Sequence, residues 1–197
     1  VNNNFRGTLQ ITRKLGLGLL IGHGIRGIGR DYTTAANGPK TTYYPVFNKG
    51  ATAYDYVRLS EMDLGSQNLR WMAILACNML NENNYTDMWN KLALPINDSL
   101  HLLCSAKTGV YMVEDVGRVF ADSLTGKATG TAMKVTDSWY AAGTATQMLG
   151  KPDVNIYFRV AGWGNCFNDT IYSYEDPDSG NPADITYEDV RVFPQNP

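Results

Sequence analysis

Two apolar runs, LGLGLLI at 15–21 and WMAIL at 71–75, constrain this chain most. Each is too short for a confident helix and rich in aliphatic side chains, so each reads as a strand buried on both faces of a parallel sheet. Each run leads directly into a distinctive motif, Gly22-His23-Gly24 after the first and Ala76-Cys77 after the second. Strands of such a sheet deliver their C-terminal residues to one edge, where open α/β folds keep ligands and chemistry. A histidine and a cysteine at two neighbouring strand ends are therefore expected to meet.

The rest of the chain supplies the partners such a sheet needs. Residues 5–12 read as a short edge strand. The Gly/Thr/Asn/Tyr stretch 24–52 has no helical period and reads as an ordered loop with one short strand. Helical starts are expected at 78–82 and 85–92. LHLLCS at 100–105 reads as a third buried strand. Apolar residues at Val116, Val119, Phe120 and Leu124 predict an amphipathic helix, and the spacing of Met133, Val135, Trp139, Tyr140 and Met148 predicts another. Residues 154–160 alternate as a half-buried strand, and the acidic, Pro-containing tail is expected to wrap the surface or pair at an edge. This order predicts an α/β fold, a three-layer sandwich with a mostly parallel central sheet. One domain is expected over 1–165, with 166–197 as an acidic extension packed on it.

Composition excludes several function classes. A chain of 197 residues with 44% hydrophobic content can bury a substantial core. Its formal charge of -2 and lack of Lys/Arg clusters give no electrostatic reason for a nucleic-acid or anionic-membrane partner. No run approaches the roughly 18 apolar residues of a membrane span. The residues VNNNFRG do not read as a signal peptide. Low Lys/Glu content and abundant Tyr, Thr, Asn and Gly predict an extracellular or periplasmic location, while the three Asn-x-Ser/Thr matches are no more than chance supplies in a chain this rich in Asn and Thr. The three cysteines, Cys77, Cys104 and Cys166, allow at most one internal disulfide, leaving Cys104 with Cys166 an open question. Without a CxxC pair or a His/Cys cluster in the sequence, neither a structural metal nor another cofactor is expected.

The two motifs suit nucleophilic chemistry. A thiol becomes a strong nucleophile when an imidazole or a helix N-terminus stabilises its thiolate. Cys77 would be the nucleophile and His23 the general base and acid, with the backbone N–H groups of Gly24 and Cys77 as oxyanion donors. Asp63 and Asp115 are candidates for lining a substrate pocket, against the alternative that both are solvated loop carboxylates. Cys104 reads as core packing and His101 as structural. Gly22-x-Gly24-x-x-Gly27 also matches a dinucleotide fingerprint, but the residues that follow make a poor helix, so no dipole would hold a pyrophosphate.

A hydrophobic run ending in His-Gly, followed by one ending in Ala-Cys, resembles the cysteine peptidases of the caspase, gingipain, legumain and separase group. Fifty-four residues separate His23 from Cys77, close to the roughly fifty of caspases. The stretches RWMAILACNML, LHLLCSAKTG and GRVFAD are similar to an uncharacterised bacterial family carrying the same pattern. The resemblance spans roughly residues 15–148 and implies a caspase-like fold, a His-Cys dyad and a peptide or protein substrate. Leu75-Ala76-Cys77-Asn78-Met79 departs from the caspase Gln-Ala-Cys-x-Gly signature, so aspartate specificity is not implied. The competing expectation is a non-catalytic, self-assembling extracellular protein that keeps the peptidase fold. Its aromatic, Asn/Thr/Gly-rich surface and exposed sheet edges would suit subunit contacts, including a homo-oligomer.

Overall fold

The computed structural model describes residues 17–21, 23–29, 40–50, 53–56, 69–76, 79–80, 100–110, 115–147, 156–178 and 184–192. The two short apolar runs supply strands β1 (Leu17–Ile21) and β5 (Trp71–Leu75), which pair in parallel from Leu17↔Trp71 to Ile21↔Leu75. Strand β6 (Leu102–Ala106) adds a second parallel ladder beside β5. Every residue of β5 and β6 is buried, as a continuous aliphatic strand requires.

Helix α1 (Asp115–Thr125) buries Val116, Phe120 and Leu124 and half-buries Val119, the stripe that its spacing predicts. It stops at Gly126, whose φ of 75° places it in the left-handed region. The N–H of Lys127 bonds the carbonyl of Asp122, and that of Gly126 bonds Ser123, which closes the helix end. Helix α2 (Val135–Gln147) buries Val135, Trp139 and Ala142. Trp139 stacks edge-on against Phe120 with centroids 5.5 Å apart, lies 5.2 Å from Phe158, and donates its indole N–H to the Ser105 carbonyl at 3.0 Å. One side chain thus ties α1, α2 and two strands of the sheet together.

Two helices in succession reverse the chain once more than the single crossover helix that joins parallel strands. Strand β7 (Ile156–Trp163) accordingly runs antiparallel to β6, and β8 (Ile185–Val192) runs antiparallel to β7 at the sheet's edge. The sheet order is β1-β5-β6-β7-β8.

The region expected to be a loop after His23 is a second sheet. Strands β2 (His23–Gly29), β3 (Lys40–Gly50) and β4 (Ala53–Tyr56) form an antiparallel meander in the order β2-β3-β4. The Thr, Tyr, Val and Phe residues of β3 are strong strand formers, and they prevail over the Gly and Pro signals around them. Antiparallel ladders therefore outnumber parallel ones, four to two, among the described residues. The fold is α/β with a mixed central sheet, which corrects the expectation of a mostly parallel one. Expected elements at 5–12 and 85–92 lie outside the described residues, as do 78, 81 and 82 of the helical start expected at 78–82, of which Met79 and Leu80 are described and form a turn.

No described helix is long and apolar enough to cross a membrane.

Candidate functional sites at the two ends of the sheet

The C-terminal end of β1 and β5 is where the two motifs begin. Because Ile21 and Leu75 are register partners on adjacent parallel strands, His23 and Cys77 each follow in sequence two residues beyond a matched strand end. The chain turns sharply there, with the Ala76 N–H bonded back to the Ile74 carbonyl at 3.1 Å. The same carbonyl accepts the Ser105 hydroxyl at 2.6 Å, which fastens the end of β5 to β6. Met79 and Leu80 are both buried, and the Leu80 N–H bonds the Ala106 carbonyl at 3.0 Å.

His23 opens β2, and Gly24 pairs with Pro45 of β3. Proline has no N–H, so this must be the narrow kind of antiparallel pair, in which the Gly24 N–H turns away from β3. Cys77 and Asp63 lie outside the described residues. Asp115 stands at the first turn of α1, 65% exposed and bonded to Arg118 at 2.9 Å. It belongs to a solvated helix face with Arg118 and Asp122, where an acidic group favours the helix N-terminus.

The N-terminal end of the same strands carries a cluster that the sequence does not announce. Reversed β7 brings its C-terminal end back beside the start of β6, and the 3₁₀ turn Gly164–Asn168 then carries the chain to Asp169. The Asp169 carboxylate is 2% exposed. Its Oδ2 lies 2.6 Å from Nδ1 of His101, and the same oxygen accepts the Trp71 indole N–H at 2.9 Å. The Asp169 main-chain carbonyl accepts the first N–H of α2, from Val135, at 2.8 Å. Tyr174 covers the cluster, edge-on to both Trp71 and His101, with the Arg70 guanidinium 4.1 Å from its ring centroid.

Cys166 completes the group. His101, Cys166 and Asp169 bring a ring nitrogen, a thiol and a carboxylate oxygen within 4.8 Å of one another. This corrects the expectation that no His/Cys cluster exists. The hydrogen bonding fits a structural lock better than a metal centre, because Oδ2 already takes two N–H donors. The thiol lies 3.5 Å from Asn165 Oδ1 and 3.7 Å from the Glu175 carbonyl. Burial, with Asp169 and other carboxylates nearby, pushes the Cys166 thiol up to about 12. Cys104, buried in β6, is pushed up by burial as well. Both are free thiols, so no disulfide joins them.

Residues 18–187 match the family described as a domain of unknown function, DUF6345. The chain belongs to that family. No curated protein and no solved structure matches it.

Proposed function

We propose that this DUF6345 protein is a cysteine-dependent peptide-bond hydrolase of caspase-like architecture, with Cys77 as nucleophile and His23 as general base and acid. The observation that supports this reading is the register of β1 with β5, whose paired last residues each precede one half of the dyad by two positions. His23 takes the Cys77 proton, and the thiolate attacks the scissile carbonyl carbon. The N–H groups of Gly24 and Cys77 hold the developing oxyanion. His23 then gives its proton to the leaving amine, and water hydrolyses the thioester. This chemistry uses no metal or organic cofactor. Its substrate is a peptide or protein, and its setting is extracellular or periplasmic, the location that composition favours. Asp63 remains a candidate for contacting substrate; the exposed Asp115–Arg118 pairing favours a helix-surface role for Asp115 instead.

The test is the alkylation rate of Cys77 between pH 5 and 9, followed by mass spectrometry in wild type and His23→Ala. Fast labelling with a midpoint below the ordinary thiol value, slowed about tenfold or more near neutrality by His23→Ala, is expected. Slow labelling that ignores His23→Ala would sink the hydrolase reading and favour a non-catalytic assembly protein.

A further inference from the structure

Arg159 lies in the middle of β7 and is completely buried. Its fork grips Asp189, the residue opposite it on β8, through Nε to Oδ1 at 2.5 Å and Nη2 to Oδ2 at 2.6 Å. Its third nitrogen, Nη1, donates to the Leu80 carbonyl at 3.2 Å. The Tyr187 ring lies over the guanidinium at 4.2 Å, and Lys107 reaches the same Asp189 carboxylate at 3.3 Å. With its N–H on the Ala106 carbonyl, Leu80 is held through both of its main-chain polar groups.

Stability alone gives little reason for a guanidinium here. A buried ion pair can often be replaced by apolar side chains of similar volume at no loss, and sometimes with a gain. An apolar side chain cannot hold a carbonyl in a chosen direction, whereas the planar, five-donor fork of arginine binds a carboxylate and a carbonyl at once.

We propose that Arg159 is a positioning residue that aims the Met79–Leu80 turn at the C-terminal edge of the sheet, with Asp189 of edge strand β8 setting that aim. The consequence for chemistry rests on the reading of Cys77, which lies between Ala76 and Met79, as nucleophile. Strand β8 is then part of the site's control although it carries none of the reacting groups. Moving Asp189 would leave a buried cation uncompensated and release the Leu80 carbonyl.

The experiment compares wild type, Arg159→Met, Arg159→Lys and Asp189→Asn by hydrogen exchange at the Leu80 amide and by the alkylation rate of Cys77. Arg159→Met removes one partner of a buried ion pair, so it is expected to fold with a melting temperature below that of wild type and to lose at least about tenfold in Leu80 protection. Its Cys77 labelling should fall between about tenfold and a hundredfold, the scale on which misplacement of about 1 Å acts. Arg159→Lys should recover only part of either loss. If Arg159→Met does not fold, Asp189→Asn supplies the same comparison with a near-isosteric side chain. Unchanged Leu80 protection and Cys77 labelling in a folded variant would overturn the proposal, even with an activated wild-type Cys77. Lost Leu80 protection in a protein whose wild-type Cys77 is unactivated would instead uphold the positioning role and remove the hydrolase reading.

Discussion

At the N-terminal end of β5 and β6, side chains close on one another: the indole of Trp71 and the imidazole of His101 share one carboxylate oxygen of Asp169. At the C-terminal end of the same strands, beside the Arg159–Asp189 pair, three donors are spent on main-chain carbonyls. Ser105 reaches Ile74, the Leu80 N–H reaches Ala106, and Arg159 reaches Leu80. The first arrangement consumes the polar groups it uses and shuts water out. The second fixes the path of the backbone and leaves side-chain chemistry to the residues carried along it. With the proposed dyad at the second end, the division would match that of barrel enzymes, which keep stability and catalysis at opposite ends of their strands.

The comparison breaks most severely at Asp169. Asp169→Ala strands two buried N–H donors and should cost about 3 kcal/mol, read from chemical denaturation, while Cys77 labelling of the remaining folded fraction stays near wild type. Gly162 is next in size. A Cβ there would strike the His101 carbonyl and the Leu102 side chain, so Gly162→Ala should destabilise by about 2 kcal/mol.

Acid sharpens the contrast from the other end. Burial raises the Asp189 carboxyl, but the bonds from Arg159 and Lys107 outweigh it and hold the group below its ordinary value of 3.8. A depressed folded value adds stability that is present above the unfolded value and lost as pH falls through the folded one. Wild type should therefore lose its advantage over Asp189→Asn on acidification below roughly pH 4, as measured by denaturation midpoints.

The buried thiols Cys104 and Cys166 should resist alkylation in the folded protein at pH 8 and label only on unfolding, which mass spectrometry of the labelled peptides reads directly. The smallest expected effect is at Asp115, where Asp115→Ala should change stability by less than about 0.5 kcal/mol and leave Cys77 labelling unaltered.

Periodicity made much of the fold legible. The stripe of α1, Trp139 in α2, and the aliphatic runs of β5 and β6 all appear in the sequence as spacing. Strand direction does not: alternation at 154–160 signals a strand, but only the helix pair before it decides that β7 runs backwards. The sheet formed by β2, β3 and β4 is obscured because Gly and Asn break the pattern between strands and Pro45 sits within one of them. The two candidate motifs were visible because each follows a hydrophobic run. The His101–Asp169 pair was not, since 68 residues separate its members and no local pattern links them. The available signals were a lone histidine at the start of a buried strand and an aspartate just beyond another.

The reversal of β7 also sets a timetable for synthesis. Trp71 and its acceptor on Asp169 are 98 residues apart, so at about 5 to 20 residues per second the carboxylate follows the indole by roughly 5 to 20 s. Throughout that interval the nascent chain has β5 and then β6 without the group that locks their shared end. A ribosome-bound chain arrested before Asp169 should therefore be open to proteolysis around Trp71, and one arrested well beyond it should be protected.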